Sequence, residues 1–561
     1  MQRLIAPLSV FMCMSVAVCT SAAGAQSIHV GGLESAAPLQ PGVLDAGNGG
    51  LDIGLWHGTS AELATYLIEK SPVETRSAIS RDLLEAALLS SGVPPVADSG
   101  DGLPAYQRAR LSALMKMGYV RAVQQLARDW QGVARDLSLM SDIYLVSGDF
   151  DSACRISDSL AEGRGESDWV ALRGFCHVVR DEWPAADLAV DILKSRDDFN
   201  DQTYFSLMHY LSGTPGTPNL KALTGSPRHI ALMNAAGLDW PDKAARPAIV
   251  AARLALDPAA DPGERLSALW QAGPALSDSQ IRTVLSSLAP EPETTESKGA
   301  APGISQSIRD RSHDPEAVLQ ADVPGSMGRL FAILASGNPA DHPDAIYEIL
   351  SRAEANTAFE RFAGMLSHDI AALPVHRQMQ LDLPLFARAA LERRDSGFFR
   401  QVVLALDGHN VPQQARIALA AAALGNGFPA GGLAADIDTR LAGDENSRSR
   451  ARRDALVAHA MGASMSDDAL KLFDGIEPTL PAVGGEMIGL MSASRNSSRA
   501  ETALWAARIL DRGVNRLDNM SLHTVISALN EAGMTDFAGR VAAEHFLDGL
   551  EQLPAEITRQ N

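Results

Sequence analysis

From Thr59 onward the chain is patterned as a series of apolar faces at three-and-four spacing, separated by short Gly, Pro or Asp breaks. Thr59-Ser60-Ala61-Glu62 and Ser71-Pro72-Val73-Glu74 have the form of capping boxes and predict two helix starts. Ile79, Leu83, Leu84, Ala87 and Leu88 then share one helical face, and that run ends at Gly92-Val93-Pro94-Pro95. From Pro104 amphipathic runs of roughly 10 to 15 residues follow one another. Alternating Val, Ile, Tyr and Thr stretches are missing, and Ala and Leu dominate the faces. The pattern predicts an all-α chain. At 561 residues it is either a very large bundle or a stack of antiparallel helical hairpins.

Two breaks in the pattern organise the chain. Residues 1–25 combine Arg3, an apolar stretch and Ala23-Gly24-Ala25, which reads as a Sec-type signal peptide cut after Ala25. An uncleaved anchor, or lipidation at Cys19 after Val18, would instead leave the protein tethered. Residues 26–55 are Gly- and Pro-rich and read as a flexible leader. The segment 289–325 opens with Ala289 to Gly303, which has no apolar face and reads as a linker or disordered loop. The expectation is therefore two helical-repeat halves, 56–288 and 326–561. No later segment has transmembrane length without charge, so no integral membrane segment is expected after cleavage.

Three stretches carry a repeat. Tyr119 precedes Ala122, Phe150 precedes Ala153 and Trp183 precedes Ala186, each by three residues, with the alanines 31 and then 33 apart. An aromatic opening the second helix of a hairpin would cover the turn. The alanine one turn on allows two helices to approach. Tyr144, Gly148, Phe150 and Ala153 stand at the spacing of the tetratricopeptide repeat, and Gly174, Trp183 and Ala186 match it in part. Gly533 and Ala538 repeat the Gly-to-Ala spacing near the C-terminus. The chain thus resembles tetratricopeptide-repeat proteins, most clearly over residues 104–212. It departs from them in lacking the repeat-closing Pro and in carrying Ser141 at a usual Gly position. The resemblance implies a degenerate α-solenoid.

Charge narrows the partners. Asp and Glu number 68 against 48 Lys and Arg, a net charge of −20 that repels nucleic acid and anionic lipid. Removing residues 1–25 leaves Cys154 and Cys176 in an oxidising compartment. They fall on adjacent helices of neighbouring hairpins, as either a disulfide staple or two buried thiols. No H-E-x-x-H, G-x-S-x-G, P-loop or C-x-x-C motif occurs. The Gly47–Gly54 run reads as linker, Asp436 and Asp438 as solvated helix-start acids, and His57 as a local cap. His368, His376 and His409 show no ligand spacing.

No catalytic, cofactor or metal site is expected. The architecture points to a scaffold whose concave face holds an envelope protein or peptide, with no catalysis of its own. The other reading is a polysaccharide-acting or polysaccharide-binding helical toroid, which would need paired carboxylates across a cleft. An aromatic content of 5 % weighs against a sugar-stacking cleft.

Overall fold

The computed structural model describes residues 39–553 apart from 98–99, 131–132, 242–245, 289–322, 337–338, 410–412, 426, 428–443 and 465–483. Among the described residues the chain is all-helical, and its extended pairing amounts to isolated bridges. The signal segment and most of the expected 289–325 linker lie outside the described residues, as do Asp436 and Asp438.

The first helices are α1 (Ala61–Glu69), α2 (Ala78–Leu89), α3 (Gly102–Lys116) and α4 (Val120–Asp129). The repeat region follows as α5 (Leu137–Ser147), α6 (Phe150–Ser159), α7 (Ser167–Val179), α8 (Trp183–Lys194), α9 (Gln202–Leu211) and α10 (Pro227–Ala235). The middle of the chain forms α11 (Ala248–Leu256), α12 (Pro262–Gln271), α13 (Asp278–Ser287), α14 (Val323–Ser336) and α15 (His342–Ala355). Next come α16 (Phe359–Met365), α17 (Ser367–Ala371), α18 (Val375–Glu392), α19 (Ser396–Ala405) and α20 (Gln414–Leu424). The last are α21 (Glu445–Ala460), α22 (Gly484–Arg495), α23 (Arg499–Leu510), α24 (Asn519–Glu531) and α25 (Thr535–Phe546).

One turn recurs. Gly118, Gly148, Asp181, Thr357, Arg394, Ser497 and Gly533 all have positive φ, and a helix begins two residues after each. In every case the next N–H bonds a carbonyl five residues back, from Tyr119 to Leu114 through Asp149 to Tyr144 to Met534 to Leu529. This is the Schellman closure, which satisfies orphan carbonyls at the end of the first helix and turns the chain into the second. The residue three positions into the second helix is buried each time: Val123, Ala153, Ala186, Phe362, Phe399, Thr502 and Ala538. That position faces the preceding helix, so it loses its water whatever its identity.

This geometry shifts one sequence assignment. The equivalents of Phe150 and Ala153 in the first hairpin are Val120 and Val123, not Tyr119 and Ala122. Ala122 is only half-buried, and Tyr119 turns its hydroxyl to Glu85 of α2 instead of covering the turn. The other assigned positions keep their places. Phe150 opens α6 and meets Phe175 edge-on at 5.1 Å, Trp183 opens α8, and Tyr144 packs half-buried in the same core. A methyl on Gly174 would lie 2.6 Å from the Tyr204 hydroxyl and 3.1 Å from Ala189 Cβ, so α7 approaches α8 and α9 closely. Gly533 and Ala538 mark the turn and the contact of the α24–α25 hairpin.

The beginning of the chain also differs from its reading. The expected flexible leader is seated from Gln40 onward: Gln40 pairs with Gly92, and Tyr106 donates to its side chain at 2.6 Å. Helix α1 is capped by Ser60, because Thr59 gives its hydroxyl to Glu501 at 2.7 Å. Ser71 donates to the Leu67 carbonyl and opens no helix; Ser77 caps α2.

Thr59 is part of a wider closure. Helix α2 packs along α23, and α25 packs on α20, α2 and α18. One apolar core accordingly mixes residues 51–143 with residues 391–546. Helices from both expected halves therefore share a core, and each fully buried Leu or Phe in it contributes about 1.5–3 kcal/mol. The described residues form one compact unit.

Candidate functional site

The repeat hairpins α5–α6 and α7–α8 stack through α6 and α7, and there the structure joins Cys154 to Cys176 as a disulfide, Cα to Cα 5.6 Å. Both cysteines are buried among Phe175, Ala153 and Val170 in the same core.

The inner face of these hairpins is not open. Helix α10 packs against α5, α9 and α7, the first helix of each successive unit. Ile230, Ala231, Leu232 and Met233 are buried there. Its polar end is held by acids on those helices. Arg228 donates to Asp168 at 2.5 Å and lies over the Phe199 and Tyr204 rings. His229 accepts from the Thr224 N–H at Nδ1, which places its proton on Nε2, 3.0 Å from Asp201. Burial opposes ionisation of Asp201, but bonds from His229 and the Tyr204 N–H, with Arg228 nearby, hold its carboxyl below the usual range. Asp142 on α5 is pushed up to about 6 by burial, against the opposing charge of Arg228. The face formed by α5, α7 and α9 is thus covered by the chain's own helix.

An open groove of about 720 Å³ lies where α8 ends and α9 begins. Lys194 and Arg196 come from the α8 terminus, Phe205 and His209 from one face of α9, and Asn219 from the following loop. Lys194 Nζ is 3.0 Å from His209 Nε2 and 6.0 Å from the centre of the Phe205 ring. Arg196 donates to Ser167 at 3.0 Å. These residues escaped the sequence reading, which weighed His57, His368, His376 and His409 but not His209. The available signal was Lys194-Ser-Arg196 in an acidic chain, followed by Phe205 and His209 at i, i+4 spacing.

A second groove, of about 480 Å³, lies between α1 and α3. Its Arg108 is already spent on Asp136 through two N–H bonds, at 2.7 and 3.1 Å.

The other charged assembly is interior. Arg540 of α25, 2 % exposed, donates to Asp82 of α2 and, at 2.6 Å, to Glu392 of α18. Burial, with the Glu360 and Glu544 carboxylates beside it, pushes Glu392 up to about 8; Arg388 and Arg81 oppose this. Burial raises Glu544 and Glu85 as well and pulls Arg540 down to about 10. This cluster joins α2, α18 and α25 and lines neither of the two grooves. His57 is exposed, with Nδ1 3.2 Å from the Asn496 carbonyl. Among the described residues no three His, Cys, Asp or Glu side chains are placed to share a metal ion.

No family model, no curated protein and no solved structure matches this chain.

Proposed function

We propose that this chain is an exported, tetratricopeptide-like scaffold that binds a protein or peptide partner in the bacterial envelope, with no catalysis of its own. The observation that carries the reading is the open groove between α8 and α9, set on a stack of hairpins whose inner face is already occupied by α10. A cross-linked stack is a rigid platform, and rigid platforms lower the entropy cost of docking. The disulfide between Cys154 and Cys176 suits an oxidising compartment and so supports export. The partner surface is therefore the edge of the repeat stack, not its concave face.

Co-purification from the native envelope after mild crosslinking tests this. A stoichiometric protein partner crosslinked within residues 194–219 is the expected result. Recovery of the chain without a protein partner, or with bound glycan in its place, would overturn it.

A further inference from the structure

The groove has a chemistry that specifies more than a surface. Lys194 forms no ion pair with any described carboxylate, although the chain carries a net charge of −20. Its contact is His209 Nε2, and an ammonium has three protons to donate. Two N–H bonds of Lys194 are thus free to take an anionic oxygen at the mouth of the groove. Arg196 stands beside it, 3.9 Å from Asp198 and 32 % exposed. The Phe205 ring lies beneath Lys194 as an apolar floor. Among the lining residues Asp197 is the single carboxylate. Arg196 is paired with Asp198, so the positive charge the groove offers is that of Lys194; a cation so placed on an acidic protein selects partners by charge and raises their rate of encounter.

We propose that the α8–α9 groove binds an acidic segment of a protein partner, seating one carboxylate on the two free N–H bonds of Lys194, whose ammonium His209 holds in place, while an apolar side chain of the segment lies on Phe205. The proposal rests on the partner-binding reading above and adds the chemistry of the partner. A carboxylate fits the position better than a bulkier anion held by several arginines would, because a single ammonium binds as a point charge. Asp197 sets an upper limit on the charge density the groove accepts, since like charges in close register are repelled.

The test is fluorescence anisotropy on the full mature chain with three labelled peptides of equal length. One alternates Glu and Leu, one alternates Gln and Leu, and one alternates Lys and Leu. The Glu peptide should bind at least about tenfold more tightly than the Gln peptide, and the Lys peptide more weakly than either. Binding of the Glu peptide should weaken as salt rises from about 50 to about 300 mM. Lys194→Ala and His209→Ala should each reduce its affinity by about fivefold or more, Lys194→Arg should retain it, and Asp197→Asn should increase it. All three sites are at the surface, and an unchanged circular dichroism spectrum shows that the variants fold. Equal binding of the Glu and Gln peptides, or indifference to Lys194→Ala, would overturn the proposal. So would Lys194-dependent binding of a uronic-acid oligosaccharide in place of the Glu peptide. A partner crosslinked at the groove in the envelope alongside indifferent peptides would sink the acidic-segment proposal alone. Peptide binding without any envelope partner would sink the scaffold reading instead.

Discussion

Arg540 of α25 donates to the Asp82 carboxylate of α2, joining residues 458 positions apart. Its other nitrogen reaches Glu392 of α18, so one guanidinium ties together an early, a middle and a late helix. Thr75 bonds Asp511 and Ser80 bonds the Ala507 carbonyl along the same seam between α2 and α23. The seam converts a chain of local hairpins into a unit whose first and last helices depend on each other.

Removing this guanidinium should be costly. Arg540→Ala leaves the Asp82 carboxylate without its counter-charge and Glu392 without its hydrogen-bond donor, and breaking a buried pair in this way costs about 3–5 kcal/mol. The loss should appear as a lower urea midpoint. Arg540→Met, which keeps the volume, should lose less.

The same cluster should make stability depend on pH. Folded Glu392 keeps its proton up to about pH 8, because burial and two neighbouring carboxylates oppose its charge. An unfolded glutamate releases its proton near about pH 4.3. Between those values the folded chain binds more protons than the unfolded one, so stability falls as pH rises. Glu85 and Glu544 are displaced in the same direction and add to the slope. Urea midpoints measured across the window from about pH 5 to about pH 8.5 should decline, and Glu392→Gln should flatten the decline.

The disulfide should stabilise the repeat stack. It closes a separation of 22 residues, and a loop of that order contributes roughly 3 kcal/mol by restricting the unfolded chain. Reduction, or Cys154→Ala with Cys176→Ala, should lower the melting temperature. Hydrogen exchange should quicken first in α6 and α7.

The recurrent turn can be tested at a position where it is strained. Thr357 is β-branched and sits at φ 56°, a conformation that costs an ordinary side chain about 1–2 kcal/mol. Thr357→Gly should therefore stabilise the chain by a similar amount, in thermal or urea unfolding. Gly539→Ala should do the opposite, because its methyl would lie 2.5 Å from the Ala423 carbonyl oxygen.

Those turns also show how far the sequence could be read. Gly148 and Gly533 announced their hairpins, since glycine is the usual residue at positive φ. Thr357, Arg394 and Ser497 adopt the same conformation without that marker, so their hairpins were hidden in plain helical pattern, whereas that of Asp181 was marked by Trp183 and Ala186. The alignment of Tyr119 with Phe150 slipped by one residue because an aromatic stood next to the true position, Val120. Helical content and the Cys154–Cys176 adjacency were legible, being local or one hairpin apart. The closure by Thr59, Asp82 and Arg540 was not, because it depends on polar contacts across more than 400 residues. Nor was the packing of α10 across α5, α7 and α9, since its sequence reads as one more amphipathic helix. The groove was missed for a related reason: Lys194 and His209 meet only when α8 and α9 are placed side by side.

The most direct test places a photo-crosslinking amino acid at Gln202, exposed in the groove, and at Leu404, 74 % exposed on α19, in the full chain expressed in its native envelope. The account predicts that one envelope protein is captured from Gln202 and not from Leu404. Capture from both positions alike, or from neither, would contradict it.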